Sequence, residues 1–182
     1  NQVHDKKIPV KQSAIQKSSE KNLLEKYNPK NCMLHAGKIT TVEDAISSKA
    51  PSIASFQRDQ GREFTEGLIT FWLLYLNQIL NLNKPMSEDQ IKLCSGMVVE
   101  EFYMLKVSDL TLLFKRIISG EYGEFYERLS IDKILTFFRT YLEERFNSAE
   151  SNSIRNHNEE SKKLESTISE GWNRRARKFT FK

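Results

Sequence analysis

Residues 63–82 read EFTEGLITFWLLYLNQILNL, and their spacing decides the fold class. Leu68, Phe71, Trp72, Tyr75, Leu76, Ile79 and Leu80 recur at i, i+3, i+4 and i+7. That is the period of one broad helical face, not the alternation of a half-buried strand. Such a stripe needs other elements to cover it. Asn83-Lys84-Pro85 stops the pattern, because proline lacks the N–H a helix interior requires and restrains the residue before it.

The covering elements follow directly. Ser87 and Gln90 have capping-box spacing and open a second helix that buries Ile91, Cys94, Val98, Phe102 and Leu105. A third starts at Ser108, presents Leu112, Leu113, Phe114, Ile117 and Ile118, and stops at Gly120. Ser130 starts a fourth, with Ile131, Ile134, Leu135, Phe138, Tyr141, Leu142 and Phe146 on its apolar face. Trp72 and Phe138 are expected in the core. Four such helices with short connections predict an all-α fold, a compact helical bundle over residues 61–147. Seven Gly and four Pro are too few for the tight turns of a β-sandwich.

On either side the chain turns polar. Residues 1–60 form a basic arm with short helices: one over 13–27 closed by Asn28-Pro29, one capped by Thr40 and Glu43 and running through Ile46, and one opened by Pro51 and fading near Gly61. Residues 148–182 form a basic tail, rich in Ser and Asn at first. Its helix is expected to resume over 159–177, with Leu164, Ile168 and Trp172 spaced by fours. The overall charge of +4 is divided accordingly. Residues 1–60 carry ten Lys/Arg against six Asp/Glu, residues 61–147 ten against thirteen, and residues 148–182 eight against five. Polyanion binding is therefore expected of the arms rather than the core.

Most catalytic classes find no support in the residues. His4, His35 and His157 lack a second ligand at i+3 or i+4, so no metal is expected. No phosphate loop or nucleophile elbow occurs, and no cofactor is expected. Glu100-Glu101 and Glu143-Glu144 diverge by about 100° as helical neighbours, so neither pair converges on one atom. No catalytic residue is named, and the chain is read as a non-enzyme. The most apolar stretch, residues 68–82, is interrupted by Asn77, Gln78 and Asn81, so no membrane span is expected. Cys32 and Cys94, without a signal-peptide pattern, fit a reducing compartment.

Two segments are candidate binding sites. Residues 119–126 read SGEYGEFY, an aromatic corner of Tyr122, Phe125 and Tyr126 around two glycines. It serves either to pack the third helix on the fourth or as a surface for a protein partner, since aromatics are enriched at interface cores. Residues 172–182 interleave five cations with three aromatics. There Arg174, Arg175, Arg177 and Lys178 suit phosphates, while Trp172 and Phe179 suit stacking on unpaired bases. The alternative is a basic tail that keeps the protein soluble.

The runs Leu105-Lys-Val-Ser-Asp-Leu110 and Phe114-Lys-Arg-Ile-Ile-Ser-Gly-Glu-Tyr-Gly-Glu-Phe-Tyr126 resemble a group of small helical accessory proteins from bacterial phages and mobile elements. In size and layout the chain is also similar to phage helicase-loader accessory proteins, over residues 64–146. The resemblance implies a role in replication or genome maintenance, and the missing ATPase loop argues against the ATP-dependent loaders. The expectation is a non-enzymatic adaptor binding a replication or DNA-processing protein, with nucleic acid held by the tail, in the host cytoplasm. The alternative is a virion protein whose arms order on neighbouring subunits.

Overall fold

The computed structural model describes the backbone over residues 10–123 and 128–179, and side chains over 18–123 and 128–170. Within these residues the chain is helical, without a named strand; Ser52 with Lys106 and Lys84 with Arg128 form isolated bridges only.

Local chemistry sets the boundaries. Helix α1 (Val10–Tyr27) ends where Pro29 forces Asn28 into extended backbone, and the Asn28 side chain then caps α2 (Pro29–Leu34) by accepting from Asn31 N at 2.9 Å. Helix α3 (Val42–Ser47) starts one residue later than the sequence suggests. Its box is Thr41 with Asp44, whose carboxylate accepts from the N–H groups of Thr40 and Thr41 at 3.0 and 2.9 Å. These bonds hold the Asp44 carboxyl down at about 2. Helix α4 (Ile53–Gln60) is capped by Ser52 and ends at Gly61, whose φ of +89° is costly for a residue with a Cβ. Helix α5 (Arg62–Leu80) follows at once and closes on Asn81 in the left-handed region. Helix α6 (Glu88–Glu101) has the Ser87–Gln90 box that its sequence predicts.

Helix α7 (Val107–Ile118) is the centre of the molecule. Residues 107–114 are buried without interruption, and the helix packs against α2, α3, α5 and α8. A helix buried on every side must satisfy its polar groups internally. Ser108 donates to Ala45 O at 2.9 Å, and Thr111 to Val107 O at 2.8 Å. Around α7 runs a line of rings: Trp72 on Phe114 at 5.0 Å, Phe114 on Phe138 at 6.3 Å, and Phe138 on Phe102 at 5.0 Å. The Trp72 indole N–H donates to Tyr27 O at 3.3 Å, which ties α1 to the core.

The core also takes Val42, Ala45, Ile53 and Phe56, so the packed body begins before residue 61. Lys106 fixes this early segment, its ammonium donating to Ile46 O and Ser48 O at 2.6 and 2.8 Å. All five residues expected on the buried face of the second core helix are buried, although α6 ends at Glu101, which leaves Phe102 as its C-cap and Leu105 in the connection to α7.

Two further elements differ from the sequence reading. The buried stripe of α5 is Thr65, Leu68, Ile69, Trp72, Leu73 and Leu76, while Phe71 and Ile79 stand 48% and 46% exposed. Because α5 is apolar around much of its circumference, periodicity alone leaves the stripe free to rotate; packing on α4 and α6 sets it. The last helix, α8 (Ile131–Phe179), is one uninterrupted rod of 49 residues, not a core helix followed by a second helix. Residues 148–158 hold Ser and Asn but no Gly or Pro, and extending a formed helix is far cheaper than nucleating one. Of its expected apolar positions, Ile134, Leu135, Phe138 and Tyr141 are buried and Phe146 is 50% exposed.

Candidate docking site

Antiparallel α5 and α6 are held together at Thr70 and Ser95: Ser95 donates its hydroxyl proton to Ile91 O at 2.8 Å and so accepts from the Thr70 hydroxyl at 2.9 Å. Outside this seam the two helices leave a furrow. Its central part has a volume of about 420 Å³ between Gly67, Leu74 and Ile91. It continues along α6 past Gly96 to Leu93 and Met97; Phe71 and Tyr75 line a separate hollow between α5 and α2, which Leu74 also borders. Leu74, Leu93 and Met97 are 42%, 60% and 40% exposed along this furrow.

The two glycines are the least expected members. Each lies inside a helix, where Gly costs about 0.5–1 kcal/mol relative to Ala. Neither has a positive φ. A Cβ at Gly67 would meet nothing within 4 Å, and one at Gly96 only the far end of Glu66 at 3.7 Å. The packing of this chain therefore demands glycine at neither position. What both do is leave the furrow bare down to the helix backbone.

The rim is acidic. Glu63, Glu66, Glu88, Asp89 and Glu100 border the furrow, against Arg62 and Lys92. Arg62 is already engaged, bridging Glu66 and Glu100 at 2.6 Å each. Glu63, Glu88 and Asp89 make no ion pair among the described residues. An apolar floor with carboxylates along its edges suits a helix with an apolar face and cationic flanks.

Other polar groups are spent on one another. Glu100 pairs with Arg62 on α5 and Glu101 with Arg139 on α8, so these neighbouring carboxylates diverge as helical geometry requires. Buried Asp109 accepts from Tyr141 Oη at 2.9 Å, from Arg145 Nε at 3.3 Å and from Lys106 N at 2.8 Å. Burial, then the Asp109 charge, pushes the Tyr141 phenol far above its ordinary value. Burial likewise raises the thiols of Cys32 and Cys94, to about 11 and about 12, which leaves both poorly reactive at neutral pH. Among the described residues no group of three or more His, Cys, Asp or Glu is placed to hold a metal, and His35 and His157 are exposed. No described helix is long and apolar enough to cross a membrane.

Of the aromatic corner, Tyr122 is half-buried. Its ring lies 5.4 Å from that of Phe137 on α8, and its hydroxyl is buried without a hydrogen bond of normal geometry. Arg116, close by, is held by Glu121 and Glu144 rather than open to a phosphate. Phe125 and Tyr126 lie outside the described residues. Trp172, Arg174, Arg175, Arg177, Lys178 and Phe179 fall on the last turns of α8, and their side chains are also outside the described ones. The sequence reading did not single out the furrow. Its signal was there: a Leu, a Leu and a Met off the buried stripes, each near a helical glycine that no turn explains.

A profile described as a family of unknown function (DUF6633) matches residues 84–175, half of the chain, from the approach to α6 into the last turns of α8. No curated protein and no solved structure matches the chain.

Proposed function

The chain belongs to the family of unknown function DUF6633, and we propose that it is a non-enzymatic adaptor whose helical body docks a protein partner in the α5–α6 furrow. The observation that carries this reading is the pairing of exposed Leu74 with Gly67 and of exposed Leu93 and Met97 with Gly96 along the furrow, two glycines that the fold itself does not need. A replication or DNA-processing partner, in a phage or mobile-element setting, is supported by the sequence resemblance over residues 105–126. The test is affinity capture from host extract with the full chain, against a variant carrying Leu74→Asp, Leu93→Asp and Met97→Asp. The expected result is enrichment of a replication or DNA-processing protein that the variant loses. Capture of virion or metabolic proteins alone, or equal capture by both chains, overturns the reading.

The basic end of α8 is proposed to hold single-stranded nucleic acid for that partner, supported by its four clustered cations and flanking aromatics at residues 172–179. If all four neutralise phosphates, deleting residues 172–182 weakens binding and flattens the slope of log K against log salt by about 3. Replacing Trp172, Phe179 and Phe181 by Ala weakens binding with little change in that slope, because stacking releases few counterions. Full-length protein that binds neither single-stranded DNA nor RNA at low salt removes this part of the proposal.

The projecting half of α8 gives the virion alternative one supporting observation. Residues 153–170 are exposed throughout, with Ile154, Leu164 and Ile168 at 56%, 62% and 50%. An arm of this kind can order on a neighbouring subunit, and the capture experiment separates the two readings.

A further inference from the structure

We propose that the α5–α6 furrow takes the basic C-terminal run of a second copy of this chain, so that the protein self-associates and a partner must displace that run. The inference rests on the furrow being a docking surface, and it names what fills the furrow when no partner is present. Three observations converge on this occupant. The furrow combines an apolar floor with five bordering carboxylates against two cations. The run 172–182 carries five cations and no acid. Positions 172, 176 and 179, occupied by Trp, Ala and Phe, share one face of α8, and positions 174, 177 and 178 the other, all three cationic. A helix approaching bare backbone at Gly67 and Gly96 can come closer than one facing a row of Cβ atoms.

The run cannot fill its own furrow. α8 is unbroken, and from position 153 onward every described side chain is exposed, which places position 172 about 30 Å beyond the body at 1.5 Å per residue. α8 also reaches α6 from the opposite side, through Arg139 on Glu101 and Phe138 on Phe102, and not across the furrow. The contact is therefore made between copies, reciprocally in a closed dimer or head to tail in a chain.

The experiment is sedimentation velocity of the purified full chain over a concentration series, at low and at high salt. Wild type is expected to associate at low salt and to dissociate as salt screens the charges. Two single-sided variants should each weaken association at least tenfold. One reverses the run with Arg174→Glu, Arg175→Glu, Arg177→Glu and Lys178→Glu. The other fills the furrow with Gly67→Leu, a change that the open space at that position lets the fold accept, as circular dichroism would verify. Reversing the furrow with Glu63→Lys and Glu88→Lys should weaken association too, and combining this with the reversed run in one chain should restore it. A wild type that is monomeric at every concentration overturns the proposal. So does association that survives Gly67→Leu, or a double reversal that fails to recover. No partner enters this measurement, so a monomeric wild type that still captures its partner removes the self-association and leaves the adaptor reading intact.

Discussion

Phe138→Ala is expected to destabilise the protein by about 3–5 kcal/mol, the usual cost of deleting a fully buried aromatic ring. Phe138 has no exposed surface, and its ring sits between those of Phe102 and Phe114, joining α8 to both α6 and α7. The loss has two parts. The buried area of the ring is forfeited, and the cavity left between three helices cannot close without moving helix axes that other contacts fix. In a chain of this size the change corresponds to a fall in the unfolding midpoint of roughly 6–20 °C. Phe146→Ala on the same helix is the control. Its side chain is 50% exposed, so its effect should be well under half as large. Urea unfolding of the two variants measures the difference, and a neutral Phe138→Ala would mean that α8 faces the core with another side.

That prediction stands on what periodicity can carry. On α6 the polar positions are clear enough that one face is left for burial, and Ile91, Cys94 and Val98 are buried on it, with Phe102 at its C-cap and Leu105 just beyond buried as well. Capping residues fix starts in the same direct way, as at Ser87 and Gln90. On α5, where Phe71, Trp72, Leu73, Leu74, Tyr75 and Leu76 are all apolar, the pattern shows that a helix exists but not how it is turned, and Phe71 ends up outside. α7 shows the converse limit. Ser108, Asp109 and Thr111 read as the polar edge of an amphipathic helix, yet all three are buried because their hydrogen bonds are made within the fold. Such partners lie 63 residues away for Ser108 and are invisible to local spacing. The furrow was hidden for a related reason. An exposed leucine is ordinary by itself, and only the juxtaposition of two helices shows that Leu74 borders one hollow between α5 and α6 and that Leu93 and Met97 border the next, the two meeting at Glu66 and Lys92.

Asp109→Ala is the other substitution of large expected effect, about 3–5 kcal/mol, for a reason that has little to do with area. The carboxylate has no exposed surface and accepts from the Lys106 backbone, the Tyr141 hydroxyl and the Arg145 guanidinium. Its removal leaves three donors facing a cavity, one of them on the charged Arg145 side chain, which is only 14% exposed. An uncompensated buried charge is among the most costly defects a core can hold. The pair as a whole is worth much less, because both charges had to leave water to form it. Three comparisons separate these terms. Tyr141→Phe removes one donor to a charged acceptor and should cost about 1.5–3 kcal/mol. Asp109→Asn keeps an acceptor for the backbone N–H and should fall between Tyr141→Phe and Asp109→Ala. Asp109→Ala with Arg145→Met removes both charges together, and the double variant should be more stable than Asp109→Ala alone. Urea unfolding at low and at 0.5 M salt (about 4 Å screening length, short but still outside the core) should give nearly the same ordering, since buried charges are screened little. A double variant as unstable as Asp109→Ala and Arg145→Met added together would mean that Asp109 and Arg145 act independently, and that the join between α7 and α8 is held by the rings, the Tyr141–Asp109 hydrogen bond and the Arg116–Glu144 pair without their pairing.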